Sequence, residues 1–455
     1  MPPKKQSPRR KPPADVKEQG SLLGDVLAVR RVACALFDQI IFDGATLDRA
    51  FSDEVDFTAL NQLDRALARM IVTTAIRRLG QIDDILNTCM DGKTPSPQEL
   101  QTLLRLSVAQ IIFMKIPDHA AVNIAVDLAK SIGLDRQKGL VNAVLRRVVR
   151  EGKDVTTRQD IPRLNIPAWM RKDWEKQFGR RAAQAIAQAS LTEAPLDLRA
   201  RDPETQEKIA ADVGGIVLPN GTIRIGDPRG TLEKWAGYTD GTWWVQDAAA
   251  ALPVMLMGDL SGKKAIDLCA APGGKTAQMA ALGADVVALD RSSARLATLR
   301  QNLDRLHLAD QVHVMAADAS DWIPDDPADI VLLDAPCTAT GTLRRNPDIL
   351  HHRTDEDVLR MTGLQIRLLN NAARMVRPGG LLIYAVCSLQ AREAEDQAGD
   401  FLRRHPDFDR IPVRAAEIGG WAELIDKNGD IRVLPTHFPD LGGMDGFFSV
   451  RFQRK

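Results

Sequence analysis

The sequence predicts an α/β chain: a doubly wound, mostly parallel sheet in the C-terminal half, preceded by an all-α region and a small α+β connecting segment. Three observations carry this expectation. After Gly262, short and strongly apolar runs alternate with helical stretches, as strands buried on both faces of a parallel sheet require. From about Leu22 to Arg150, apolar residues instead recur at three- and four-residue steps, the period of one helix face. The length, 455 residues, exceeds what a single core organises, so the chain is divided at residues 1–20, 21–155, 156–240 and 241–455.

Residues 1–20 are Pro-rich and hold six Lys/Arg against two Asp/Glu, a surplus of four positive charges. They lack the apolar core of a signal peptide, and their prolines break the amphipathic helix of an organellar targeting sequence. A disordered basic tail is expected. In residues 21–155, faces such as Val29, Val32, Ala33, Leu36, Phe37, Ile40 and Ile41 predict five or six helices, with breaks at Asp43-Gly44, at residues 91–95 and at Ile116-Pro117-Asp118. Cys34 and Cys89 lie on apolar faces, where a thiol serves as a small buried hydrophobe. The segment 156–240 mixes a helix signal from Trp169 to Ser190 with β-like runs at Pro195 to Arg199, Gly215 to Pro219 and Thr222 to Ile225.

Charge and cysteine usage narrow the function classes. Lys+Arg and Asp+Glu both number 60, which excludes a uniformly basic, histone-like binder but not a basic face. Lys130 to Arg181 contains fourteen Lys/Arg and six Asp/Glu, a surplus of eight, so the remainder outside this stretch and the tail stands at −12. Such a stretch can neutralise phosphates, although a solvated helix face has the same composition. Five cysteines without repeat spacing argue against a disulfide framework or a zinc ribbon and for reduced thiols in a cytoplasmic protein; no metal is expected. The longest apolar run, Ala248 to Met257, is interrupted by Pro253 and falls far short of the roughly 20 residues that cross a bilayer, so no membrane span is expected.

In the C-terminal half, strands are predicted at Lys264 to Leu268, Val286 to Leu289, Val312 to Met315, Asp329 to Leu333 and Leu381 to Tyr384. Ligands of such sheets bind beyond the carboxyl ends of the strands, where this chain places Asp267, Asp290, Asp318, Asp334 and Cys387. The first loop, DLCAAPGGKT from Asp267 to Thr276, ends like a phosphate-binding P-loop, but Cys269 stands where its first Gly belongs, and no G-x-G-x-x-G is present. Gly273 and Gly274 still permit close approach of backbone to a ligand. Asp290 can hold a ribose diol, and Asp318 can accept from the exocyclic amine of adenine. A single strand-end Asp is more often a solvated carboxylate; three at successive ends after a Gly-Gly loop fit a nucleoside cofactor without a phosphate chain, S-adenosylmethionine. Two further loops each carry a thiol, Cys337 after the fourth strand and Cys387 after the fifth, without the additional ligands a zinc site needs.

The stretches DLCAAPGGKT, LLDAPCTATGTLRRNPDI, YAVCSL and MDGFFSVRF resemble the RsmB/Sun/Fmu subgroup of the RsmB/NOP RNA 5-methylcytosine methyltransferases, from about residue 195 to the C-terminus. Upstream, LLRLSVAQIIFMKIPDHAAVNIAVDLAKSIGLDRQKGLVNAVLRR resembles the NusB family of helical RNA-binding domains. The resemblance implies a Rossmann-like S-adenosylmethionine-dependent methyltransferase domain behind a NusB-like domain and a small connecting RNA-binding subdomain. It further implies that Cys387 attacks carbon 6 of a cytosine in 16S ribosomal RNA, that Cys337 assists release, and that Asp334 hydrogen-bonds the base. Cys269, Ala270, Ala271, Pro272, Gly273, Gly274 and Lys275, with Asp290, Asp318 and Asp334, would hold the cofactor. Arg344 and Arg345 would contact RNA phosphates, and either Cys337 or a water would take the carbon 5 proton. A monomer acting on the RNA or on a small-subunit assembly intermediate is expected.

The chain departs from the family pattern at Val386, where Thr is usual, at Arg392-Glu393-Ala394 in place of Glu-Glu-Asn, and at Arg199-Ala200-Arg201, where an Asn often follows Leu-Arg-Val. His351 and His352 receive no role. Two other functions compete: a non-catalytic NusB-like RNA-binding or antitermination factor, opposed by the intact Asp334, Cys337 and Cys387, and a nucleotide-dependent oxidoreductase or NTPase, opposed by the incomplete phosphate loop.

Overall fold

The computed structural model describes residues 15–455, and the chain forms two compact units that divide between Asp160 and Ile161. The expected basic tail lies mostly outside the described residues; a helix already begins at Asp15, within the span assigned to it.

The first unit is helical: α1 (Asp15–Ile41), α2 (Leu47–Asp53), α3 (Val55–Ala59), α4 (Gln62–Arg77), α5 (Leu79–Cys89), α6 (Gln98–Val108), α7 (Asp118–Ser131) and α8 (Lys138–Thr156). All three anticipated breaks are present. The described helices outnumber the expected five or six because two divisions leave little trace in the apolar period. Glu54 ends α2 and caps α3 by accepting from the Asp56 amide at 3.4 Å. Arg78, with φ −113° and ψ 15°, separates α4 from α5. Leu36, Phe37, Ile40, Ile71, Ile76, Ile82, Leu103 and Leu145 are fully buried in the core. Cys89 is buried within it and Cys34 packs against it, as expected for small hydrophobes.

The second unit opens with α9 (Ile161–Asn165), α10 (Ala168–Phe178) and α11 (Arg180–Ser190). The single helix signal there is broken at Gly179, whose φ of 82° is left-handed. A small antiparallel sheet follows, from β1 (Leu196–Ala200), β2 (Ile216–Val217), β3 (Thr222–Ile225) and β4 (Trp243–Val245), in the order β2-β3-β1-β4, with α12 (Gln206–Val213) packed on it. Asp197 and Arg224 form a buried two-pronged ion pair across β1 and β3, at 2.7 and 2.6 Å, with the Ala248 amide completing the carboxylate's partners.

The large sheet comprises β5 (Lys264–Leu268), β6 (Asp285–Asp290), β7 (Val312–Ala316), β8 (Ala328–Asp334), β9 (Val376–Val386), β10 (Phe408–Arg410), β11 (Ile431–Val433) and β12 (Phe447–Arg454). Its order is β10-β12-β9-β8-β5-β6-β7, with β11 also pairing to β12. Strands β5 to β9 are parallel to their neighbours, whereas β12 runs antiparallel to β9. Successive residues serve opposite faces. Ala265, Ile330, Leu332, Ile383 and Ala385 pack with α13 (Ala248–Met255), α14 (Gly274–Ala281) and α15 (Ser293–Arg305). Ile266, Val331, Leu333, Leu382 and Tyr384 pack with α17 (Asp355–Met375) and α18 (Glu395–Arg404), which follow the short α16 (Ile349–His352). The chain fills the sheet outward from β5 to β7, then resumes at β8 on the other side of β5, so the loops after β5 and β8 diverge and open a crevice. No helix of the described residues is long and apolar enough to cross a membrane.

Candidate active site

Register brings the two thiols together. Asp334 of β8 pairs with Ala385 of β9, and the Ala335 amide donates to the Ala385 carbonyl at 2.9 Å. Three residues beyond one partner and two beyond the other, Cys337 Sγ and Cys387 Sγ lie 3.4 Å apart. Both cysteines are free and half-buried. The hydrogen bond to Cys387, then burial and the charge of that partner, push the Cys337 thiol well above its ordinary range. Cys337 is therefore held as the neutral thiol.

Lys275, at the start of α14, reaches across to Asp334 at 2.6 Å and lies 5.1 Å above the Phe447 ring. Burial lowers its pKa, but Asp334, Asp267 and Cys387 outweigh that effect and hold the ammonium charged. Asp334 keeps 31% of its side chain exposed, so a ligand in the crevice can reach it. The next residue, Thr276, donates to Asp267 at 2.6 Å. The Lys and Thr of the P-loop-like ending are thus both engaged with carboxylates, which leaves no cradle for a phosphate.

The loop between them is shaped for close backbone approach. Cys269 has φ 64° and Gly273 φ 104°, and a Cβ on Gly273 would lie 2.9 Å from Leu299. Asp290 is buried and accepts from the Ser292 amide at 2.9 Å and the Ala271 amide at 3.3 Å, with Arg295 at 3.3 Å. Among the described residues, Asp267 Oδ1 is buried without a hydrogen-bond partner. A buried carboxyl oxygen without a partner, a second carboxylate one strand over and a loop of bare backbone fit a nucleoside with an amino-acid arm better than a polyphosphate. Asp318 is exposed beyond β7, and Ser320 engages one of its oxygens through an amide at 2.9 Å and a hydroxyl. Burial and the charges of Asp290, Asp334 and Asp267 push Cys269 up to about 12, so it stays a neutral thiol.

The structure corrects the expectation for two arginines. Arg344 is 3% exposed and donates to the carbonyls of Glu193 and Gly442. Arg345 bridges Asp247 at 2.6 Å and Asp445 at 2.8 Å, and these carboxylates raise its pKa against its burial. Both guanidiniums fasten the loop after β8 to neighbouring segments; Arg344 is too buried to meet a phosphate, while Arg345 keeps 29% of its side chain exposed. Arg199 and Arg201 likewise donate to the carbonyls of Asn220 and Leu306. Sequence reasoning gave Glu393 no role, yet it accepts from residues of both thiol loops; its one signal was being the sole match in an altered motif. Among the described residues, no cluster of three or more metal-ligating side chains occurs.

Known proteins match this chain over most of its length. A family model described as 16S rRNA methyltransferase RsmB/F matches residues 254–453, and the NusB family model matches residues 27–150. Ribosomal RNA small subunit methyltransferase B of Xanthomonas campestris is 34% identical over 405 residues, 86% of this chain and 90% of that protein. The protein of the same name from Vibrio cholerae is 32% identical over 413 residues, 87% of this chain and 94% of its own. The solved structure of PH0851 has a TM-score of 0.71 at 22% identity, over 94% of this chain and 99% of that one, a likeness of fold. With these matches over a site built from paired thiols, Asp334 and Lys275, the chain belongs to the RsmB/F family of 16S rRNA methyltransferases and carries an N-terminal NusB-family domain.

Proposed function

We propose that this rRNA methyltransferase transfers a methyl group from S-adenosylmethionine to carbon 5 of a cytosine in 16S ribosomal RNA, through a covalent adduct between Cys387 and the base. The observation that carries the reading is the pair of thiols 3.4 Å apart, beside Asp334 and Lys275. Carbon 5 of cytosine is a poor nucleophile until an atom adds at carbon 6, and a thiolate both adds there and leaves again. The Cys387 thiolate bonds to carbon 6 as the 5,6 double-bond pair shifts through carbon 4 toward N3, which takes up a proton from solvent. Asp334, oriented by Lys275, accepts from that N3–H and from the exocyclic amine. Residues 269–275, Asp290 and Asp318 would hold S-adenosylmethionine, which when bound would supply the methyl group to carbon 5 and leave as S-adenosylhomocysteine. A water then takes the carbon 5 proton, the carbon–sulfur bond breaks as the 5,6 double bond re-forms, N3 gives up its proton, and Cys387 leaves as a thiolate hydrogen-bonded by the neutral Cys337 thiol.

The base must leave its stack to meet both sulfur and cofactor, so a loop or bulge cytosine is the expected target. Labelled S-adenosylmethionine and unmodified small-subunit rRNA test the reaction. Label is expected in carbon 5 of cytosine with the wild-type chain and none with Cys387→Ala, while Cys337→Ala accumulates a protein–RNA adduct. Full activity of the Cys387 variant would sink the reading; an adduct trapped by Cys387→Ala instead of Cys337→Ala would reverse the two roles.

A further inference from the structure

A buried carboxyl group that the proposed reaction does not use lies between the two thiol loops. Glu393 has no exposed surface. Its Oε1 accepts from the Thr338 amide at 2.9 Å and from Gln365 Nε2 at 3.2 Å. Its Oε2 accepts from the Thr338 hydroxyl at 2.5 Å and from the Ser388 hydroxyl at 2.6 Å. Thr338 directly follows Cys337, and Ser388 directly follows Cys387. One side chain therefore spans two loops that are 50 residues apart in sequence. Its own backbone is fixed by the Tyr384 hydroxyl, which donates to the Glu393 carbonyl at 2.6 Å, and Tyr384 belongs to β9 itself. Burial raises the carboxyl's pKa above its ordinary value, against hydrogen bonds from Ser388, Thr338 and Gln365 that lower it. An apolar residue could fill the same space, but it could not join the two loops by hydrogen bonds.

We propose that Glu393 is a positioning residue that sets the separation of the Cys337 and Cys387 sulfurs by holding Thr338 and Ser388 at once. The inference rests on the reading of those two thiols as the reacting pair. Four hydrogen bonds are what the position requires, and the negative charge is secondary. In Glu393→Gln, the amide oxygen can accept from the two obligate donors, the Thr338 amide and Gln365, while the amide nitrogen meets two hydroxyls free to turn and accept. Glu393→Ala removes all four bonds.

The test compares full-length wild type, Glu393→Ala, Glu393→Gln and Cys387→Ala in methyl transfer to small-subunit rRNA, with binding of S-adenosylmethionine measured by calorimetry. Misplacing reacting groups by about 1 Å costs on the order of 100-fold in rate. Glu393→Ala should lose about that factor in kcat, with the KM for RNA and the cofactor affinity within about threefold of wild type, and Glu393→Gln should recover to within about tenfold. Wild-type kcat in Glu393→Ala would overturn the proposal, as would a loss explained by KM or cofactor binding, or equal loss in the Gln variant. Should Glu393→Ala fail to fold, Thr338→Val and Ser388→Ala each remove one arm: a fall in kcat in both supports the proposal, and wild-type kcat in both overturns it. The Cys387→Ala arm separates the two ideas. An active Cys387→Ala removes the reading of the thiols, whereas an inactive one beside a fully active Glu393→Ala removes only the positioning role.

Discussion

Asp267 sits at the end of β5 in surroundings that favour its protonated form. It is 1% exposed. Burial, with the charge of Asp334 nearby and against the hydrogen bond from Thr276, pushes its pKa up to about 7. In the unfolded chain the carboxyl loses its proton near pH 4, whereas the folded chain keeps it to about pH 7. Between those values the folded state binds more protons, so stability falls as pH rises, by up to about 1.4 kcal/mol per pH unit. Asp267→Asn retains an acceptor for Thr276 and abolishes the titration. Its melting temperature relative to wild type should therefore rise from pH 5 to pH 8 in thermal unfolding at fixed ionic strength; a difference independent of pH would show that the carboxyl ionises in the folded state as it does in water. The same scale shows what the sequence concealed. Strand ends and loop order exposed Asp334, Cys337 and Cys387 to reasoning, because the chemistry of each residue type is written in its identity. For Arg344 and Arg345 the type was equally plain, yet a basic residue beside a reactive loop looks the same in sequence whether it meets a phosphate or, as here, carbonyls and the Asp247 and Asp445 carboxylates.

Between elements, α10 braces the loop that carries the proposed nucleophile. Trp174, fully buried, donates from Nε1 to Gln390 Oε1 at 2.8 Å. Asp173 accepts from Gln390 at 3.2 Å and from Arg392 at 2.8 Å, and Leu389 shares a core with Met170, Trp174 and Ile186. Arg432 of β11 completes the brace by donating to the Ser388 carbonyl at 2.8 Å. Trp174→Phe keeps most of the apolar volume and leaves the buried Gln390 oxygen without its donor, a loss of about 1–3 kcal/mol. Chemical denaturation should report that cost, and methyl transfer should fall while cofactor binding stays within about twofold. Unchanged stability would mean that Gln390 finds another donor. No signal in residues 168–178 announced this brace, since a Trp on a helix face reads as core. Four of the five parallel strands were legible because burial makes each a largely apolar run, whereas β7, at the sheet edge with no buried residue, was legible from Val312, Val314 and Met315 alone. The edge strands β10 and β11 span only three residues each, too few for any period to emerge. β12 was visible only as a motif, and its antiparallel pairing to β9 is a tertiary fact.

Over the whole molecule, zero net charge resolves into segments that do not follow the division into units. The basic stretch from Lys130 to Arg181 crosses the boundary at Ile161: residues 130–160 hold eight Lys/Arg against four Asp/Glu, and residues 161–181 hold six against two. Each side thus contributes a surplus of four. On the first side, Lys130, Lys138, Arg147 and Arg150 are already paired with carboxylates at 2.7 to 3.0 Å, so only part of the surplus is available to phosphates. The thiols, Asp334, Lys275 and Asp290 all lie within 161–455, over cores formed by that unit's own residues. A chain beginning at Ile161 should consequently bind S-adenosylmethionine as the full chain does. It should bind small-subunit rRNA more weakly and with a shallower salt dependence, since each phosphate contact contributes about 0.7 to 0.9 to the slope of log K against log salt. Loss of two to four such contacts would lower the slope by about 1.4 to 3.6. Calorimetry with the cofactor and filter binding of RNA across a salt series measure both quantities. An unchanged affinity and slope would deny the NusB-family domain any part in holding the RNA, whereas a loss of cofactor binding would mean that residues 161–455 do not keep their fold without it.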